Sequence, residues 1–159
     1  MGVNECYVLL PYRSLHINEE FHFKRFEKLS LDYVSVDCEA LNFFLHNCPL
    51  LEDLSVSNSS ELLSLSIGGP FPSLKRLVVS SCCNLDLLDI RDVNLVHLGY
   101  EGHYIPLRLH NLPNLVNLSV PMLVFINIID EVLFLAILEQ LEALYIHDVR
   151  CFFLSGENA

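Results

Sequence analysis

Hydrophobic positions along the chain fall into a recurring six-residue phrase, apolar-x-x-Leu-x-apolar. It is clearest in FEKLSL from Phe26, LEDLSV from Leu51, LKRLVV from Leu74, LVHLGY from Leu95, LVNLSV from Leu115 and LEALYI from Leu141. The spacings between first positions are 25, 23, 21, 20 and 26 residues. A weaker set falls between these copies, in LLSLSI from Leu62, LDLLDI from Leu85 and YIPLRL from Tyr104. In a strand, motif positions one, four and six turn into the core, the turn entering the strand allowing the step from one to four, and positions three, five and seven point to the other side. A unit with one apolar side cannot cover it alone, so the units must stack.

A period of about 20–29 residues is that of leucine-rich repeats. The expected fold class is therefore an α/β solenoid, a right-handed leucine-rich-repeat solenoid with a parallel concave sheet. The secondary phrases place a turn every ten or eleven residues in the middle of the chain, too few for a helix with two loops. The convex side there should be extended or strand-like. Gly68-Gly69-Pro70, Pro72, Cys82-Cys83-Asn84 and Gly102 supply turn signals between the pieces. Short helices are expected on the convex side near both ends. One is capped by Asp37 over Cys38–His46, with Ala40, Leu41, Phe44 and Leu45 on one face, and is stopped by Asn47-Cys48-Pro49. The other runs from about Ile128 to Gln140, with Asp130 and Glu131 near its start. The whole chain, 1–159, reads as one domain: an N-terminal edge segment over 1–25, repeats over 26–147 and a tail over 148–159.

The words HNCPLLEDLSV (His46–Val56), PSLKRLVVSSC (Pro72–Cys82) and NLVHLGYEG (Asn94–Gly102), in that order, resemble the repeat region of plant F-box/leucine-rich-repeat proteins of the FBD type. The resemblance covers roughly Phe21 to Ile146. It implies that the repeats hold a protein substrate for an SCF-type E3 ubiquitin ligase, to which an N-terminal F-box docks through Skp1. This sequence departs from that plan. Residues 1–25 hold no Leu-Pro…Leu-Ser…Trp pattern, the chain contains no Trp, and it ends in SGENA where an FBD segment would continue. The expectation is the repeat region alone, with Skp1 a partner only if a missing F-box is supplied. The alternative is a stand-alone repeat scaffold or a truncated fragment with no ubiquitin role.

Charge narrows the partner class. The formal net charge of −11 comes from 9 basic and 20 acidic residues, and the basic ones are scattered, which speaks against nucleic acid. Val120–Leu138 is strongly apolar, yet Pro121, Asn127, Asp130 and Glu131 interrupt it. Each carboxylate at a bilayer centre would cost roughly 2.5–3.5 kcal/mol, so no membrane span is expected. Six cysteines (Cys6, Cys38, Cys48, Cys82, Cys83, Cys151) form no C-x-x-C pair, and adjacent cysteines suit neither zinc nor an ordinary disulfide. A reduced, mostly buried state and a cytoplasmic or nuclear location are expected. The sequons at Asn58 and Asn117 then carry no meaning.

No constellation for chemistry emerges. The histidines His16, His22, His97, His103 and His110 lack metal-ligand spacing, and Gly68-Gly69-Pro70 lacks the Lys and Ser/Thr of a phosphate loop. No enzyme activity and no cofactor are expected. The functional case rests on the strip of motif positions three, five and seven, which should project from the concave sheet toward a protein partner. Its candidate residues are Lys28, Asp32, Asp53, Ser55, Arg76, Val78, His97, Glu101, Asn117, Tyr145 and His147. Arg and Tyr are the side chains that most often anchor protein interfaces. Apolar surface is expected at the N-terminal edge and near Phe152-Phe153-Leu154.

Overall fold

The computed structural model describes residues 24–128 and 132–148, together with the backbone of one strand at 5–9. In chain order the elements are β1 (Glu5–Leu9), β2 (Lys28–Asp32), α1 (Cys38–Asn47), β3 (Asp53–Ser57), β4 (Ser64–Gly68), β5 (Arg76–Ser80) and β6 (Leu87–Arg91). They continue with β7 (His97–Glu101), β8 (Leu107–His110), β9 (Asn117–Pro121), α2 (Met122–Ile128), α3 (Val132–Gln140) and β10 (Ala143–His147).

All six main motifs lie in one parallel sheet in chain order, β1-β2-β3-β5-β7-β9-β10, with β1 coming from the segment expected at the N-terminal edge. The secondary phrases form a second parallel sheet, β4-β6-β8. The middle of the chain thus turns back as strand rather than helix, as its short spacing requires. The register is in phase throughout. Leu29 faces Leu54, Leu54 faces Leu77, Leu77 faces Leu98, and Leu98 faces Leu118. All five are buried, and so are Leu65 and Leu88 of the second sheet, so motif position four forms the inner rows from both sides. In YIPLRL the phase starts late: Tyr104 is exposed and Ile105 takes the core position, while Leu107 and Leu109 keep theirs.

Turns between the layers follow one local rule. Tyr33, Asn58, Ser81, Asp92 and Asn111 each stand one residue past a strand and adopt positive φ between 50° and 56°. This left-handed conformation is uncommon for residues other than glycine. It is held by backbone bonds between repeats: the Tyr33 N–H donates to the Ser57 carbonyl at 3.1 Å, Asn58 to Ser80 at 3.1 Å, and Ser81 to Glu101 at 2.8 Å. The same turn recurs because each copy closes on the next.

At the N-terminal side, α1 begins as expected, the Asp37 carboxylate accepting from the Ala40 N–H at 2.8 Å. It buries Leu41, Phe44 and Leu45. The C-terminal side differs from expectation. In place of one helix starting near Ile128 there are two, α2 following directly on β9 and α3 starting at Val132. Asp130 and Glu131, expected at a helix start, lie outside the described residues. MLVFINI is apolar almost throughout, so no polar face marked α2 as a helix. Its burial of Val124 and Ile128, four residues apart, supplies the helical contact instead. An edge-on contact between Phe125 and Phe134 joins α2 to α3, and the Gln140 amide donates to the Leu112 and Leu115 carbonyls at 2.6 and 3.0 Å. No helix among the described residues is long and apolar enough to cross a membrane.

Among the described residues, β10 is the last strand of the stack. Leu144 and Ile146 continue the inner rows yet remain 36% and 38% exposed, and Leu123, Ile126 and Leu135 are exposed nearby. Apolar surface therefore exists at this end on β10 and its helices. The expected patch at Phe152–Leu154, and the side chains of the N-terminal edge, lie outside the described residues. Of the cysteines described with their side chains, Cys48 and Cys82 are buried, Cys38 is half-buried and Cys83 is exposed, and all four are free thiols. Burial pushes the Cys82 thiol above its usual pKa, which keeps it protonated and unreactive.

Candidate functional site

Strand alternation sends one set of side chains out of the seven-stranded sheet, and these are the ones the motif phase assigns. Asp53, Ser55 and Ser57 of β3 alternate with buried Leu54 and Val56, and Arg76, Val78 and Ser80 of β5 alternate with buried Leu77 and Val79. The outer face is knit across strands. Arg76 reaches Asp53 at 3.0 Å, and the Ser55 hydroxyl donates to the Ser30 hydroxyl at 2.9 Å. Next to this face, Lys75 pairs with Glu52 at 2.8 Å. Such exposed pairs contribute about 0–1 kcal/mol each, so they align the face more than they stabilise it.

At the N-terminal half of the face, the Asp32 carboxylate accepts from the Asn58 amide at 2.8 Å and the Ser57 hydroxyl at 2.7 Å. These two hydrogen bonds, Asn58 first, hold its pKa below the usual value. A depressed carboxylate stabilises the fold above its unfolded pKa of about 3.9, and that contribution disappears as pH falls through the lower folded value. Wild-type stability should therefore fall more steeply below about pH 4 than that of Asp32→Asn, measured by urea unfolding across the acid range. Equal slopes would mean that the carboxylate is not favoured by these bonds.

The C-terminal half opens into a hollow of about 450 Å³. Six of the eleven candidate residues line it: Arg76, Val78, His97, Glu101, Tyr145 and His147. Lys28, Asp32, Asp53 and Ser55 lie outside it on β2 and β3, and Asn117 stands beside His97 in register but is not part of its lining. Gly99 and Ser119, paired across β7 and β9, provide small side chains between the flanking residues. A Cβ on Gly99 would meet Val78 Cγ2 at 3.3 Å and His97 Nε2 at 3.5 Å, so glycine here keeps the floor low.

Four lining residues were not among the candidates: Gly99 and Ser119 on the floor, and Tyr100 and Asp148. Tyr100 has its ring in the core, its hydroxyl donating to the His103 carbonyl at 2.8 Å, and burial drives its pKa far above the ordinary phenol value. Its backbone carbonyl lies 3.2 Å from His147 Nε2. Asp148 follows directly on β10, past the last motif position, so the strand pattern held no signal for it. Burial, then the Arg76 charge, lowers the His97 pKa, with Asp53 opposing weakly, so this imidazole is neutral at physiological pH.

The hollow thus has small side chains in its centre, with aromatic, imidazole and charged groups around them. The family model described as "At1g61320/AtMIF1, LRR domain" matches residues 7–151. The chain belongs to that leucine-rich-repeat family. A leucine-rich-repeat domain is a protein-interaction module, and the solenoid described above is its architecture. No curated protein and no solved structure matches the chain significantly.

Proposed function

We propose that this leucine-rich-repeat domain is the substrate-recognition region of an SCF-type E3 ubiquitin ligase adaptor, working in the cytoplasm or nucleus. The observation that carries the binding half of this reading is the hollow on the outer sheet face. It gathers residues from four strands that are up to 71 positions apart in the chain, from Arg76 to His147. The ubiquitin half is supported by the ordered words CPLLEDL, PSLKRL and NLVHLGYEG, which resemble the repeats of F-box proteins. In this role the repeats position a protein near the ligase and perform no chemistry themselves. Skp1 engages only an F-box, so it joins the complex only where one is supplied.

The test appends an F-box upstream of Met1 and compares this chain with the same chain carrying Ser119→Phe, which fills the hollow from a strand position that tolerates aromatics. Both should bind Skp1, while the chain without the F-box should not. Polyubiquitylated proteins should accumulate with the unsubstituted fusion and fall at least tenfold with Ser119→Phe. Equal ubiquitylation by both fusions, or none by either, would remove the ligase role.

A further inference from the structure

The charges around the hollow are not equally engaged. Arg76 is paired with Asp53 at 3.0 Å, and His97 is uncharged at physiological pH. The carboxylates of Glu101 and Asp148 line the same hollow and have no ion pair or side-chain hydrogen bond among the described residues. Among the described residues, neither carboxylate is compensated by a cation. Tyr145 stands at its β10 side with 62% of its surface exposed. The register places Ser119 beside Tyr145 and Gly99 beyond Ser119, so only small side chains stand between the ring and Val78.

We infer that this hollow receives a lysine or arginine side chain from a basic segment of the partner protein, held between the Glu101 and Asp148 carboxylates and the Tyr145 ring. The inference rests on the reading of the outer sheet face as the binding surface and specifies what that surface selects. The alternatives fit less well. An acidic side chain would meet two like charges, and the arginine that could answer it is already paired. An apolar side chain would strip water from two carboxylates and give nothing back. A cation neutralises both, and an exposed tyrosine ring attracts it further. The chain's net charge of −11 draws basic segments in from a distance, but screening within about 8 Å at physiological salt leaves the choice of site to local groups.

The experiment is an amide chemical-shift titration of the full chain. Its probes are a capped Gly/Ser heptapeptide with a central arginine and the same peptide with a central glutamate. The arginine peptide should bind saturably, shifting Gly99, Glu101, Ser119 and Tyr145, and the glutamate peptide should not. Glu101→Gln with Asp148→Asn should weaken binding at least tenfold, and Tyr145→Ala about threefold. A second double variant, Glu61→Gln with Asp86→Asn, removes the same net charge from exposed positions outside the lining and should stay within about twofold. Equal weakening by the two double variants would show a general field rather than a site and overturn the inference. So would comparable binding of the glutamate peptide, or no saturable shift with arginine. A chain that ignores the arginine peptide yet still loses its partner on Ser119→Phe would overturn the basic specificity and leave the surface reading standing.

Discussion

Leu77→Ala should lower the unfolding free energy by about 2–5 kcal/mol, the usual range for opening a cavity in a packed core. Leu77 has no exposed surface and sits between Leu54 and Leu98 in the central row of the large sheet. A solenoid is held by contacts between neighbouring units, so a cavity here also weakens the coupling between its two halves. Leu54→Ala, Leu98→Ala and Leu118→Ala should fall in the same range, since each occupies motif position four and none has exposed surface. Arg76→Ala, one residue earlier, loses only the exposed pair with Asp53 and should stay within about 0.5 kcal/mol. Urea unfolding of the two variants side by side decides the matter. If Arg76→Ala unfolded the chain while Leu77→Ala left it intact, the inside–outside phase would be wrong by one residue and every assigned face would invert.

Gly102→Ala should be nearly as damaging for the opposite reason, too much matter rather than too little. A Cβ there would lie 2.5 Å from the Tyr100 hydroxyl oxygen and 2.9 Å from the ring carbon that bears it. The ring is 1% exposed, and its hydroxyl is tied to the His103 carbonyl, so it cannot swing aside cheaply. Overpacking of this kind costs about 1–3 kcal/mol, with the lost hydrogen bond adding to it. Tyr100 occupies motif position six, where other copies carry Val56, Val79 and Val120. Tyr100→Val should itself cost about 2–4 kcal/mol through the cavity it leaves. The double variant should then cost at least about 1 kcal/mol less than the sum, because the clash disappears with the ring. Strict additivity in thermal or urea unfolding would mean that the added methyl finds room without moving Tyr100.

These expectations rest on a phase that was legible in the chain itself. The repeated phrase has one Leu at a fixed position and apolar residues at fixed distances from it, and a period-two strand leaves little freedom once that Leu is placed inside. The short gaps around Leu62, Leu85 and Tyr104 likewise excluded helices from the middle of the second layer. What stayed hidden depends on tertiary neighbours. MLVFINI is apolar on nearly every side, so its α2 helix had no periodic signature, and YIPLRL placed Ile105 rather than Tyr104 inside because two adjacent apolar residues both fitted the phrase. The hollow was half legible. The strip of outward positions named six of its residues, but its location between β5 and β10 comes from Gly99 and Ser119 meeting in register beside Tyr145. Arg76 carries no mark in the sequence that Asp53, 23 residues away, pairs with it, nor does Glu101 that Asp148 shares its hollow.

If the outer face of the large sheet binds a protein partner, a probe placed on it should capture that protein. A photo-crosslinking residue placed at position 119, in the hollow, and at position 66, on the exposed face of β4, tests it most directly. Irradiation of the two chains in plant cells, followed by purification and re-binding of the captured protein in pure form, should give a discrete adduct from position 119 and none from position 66. An adduct from position 66 of equal or greater yield, or none from position 119, would contradict the account.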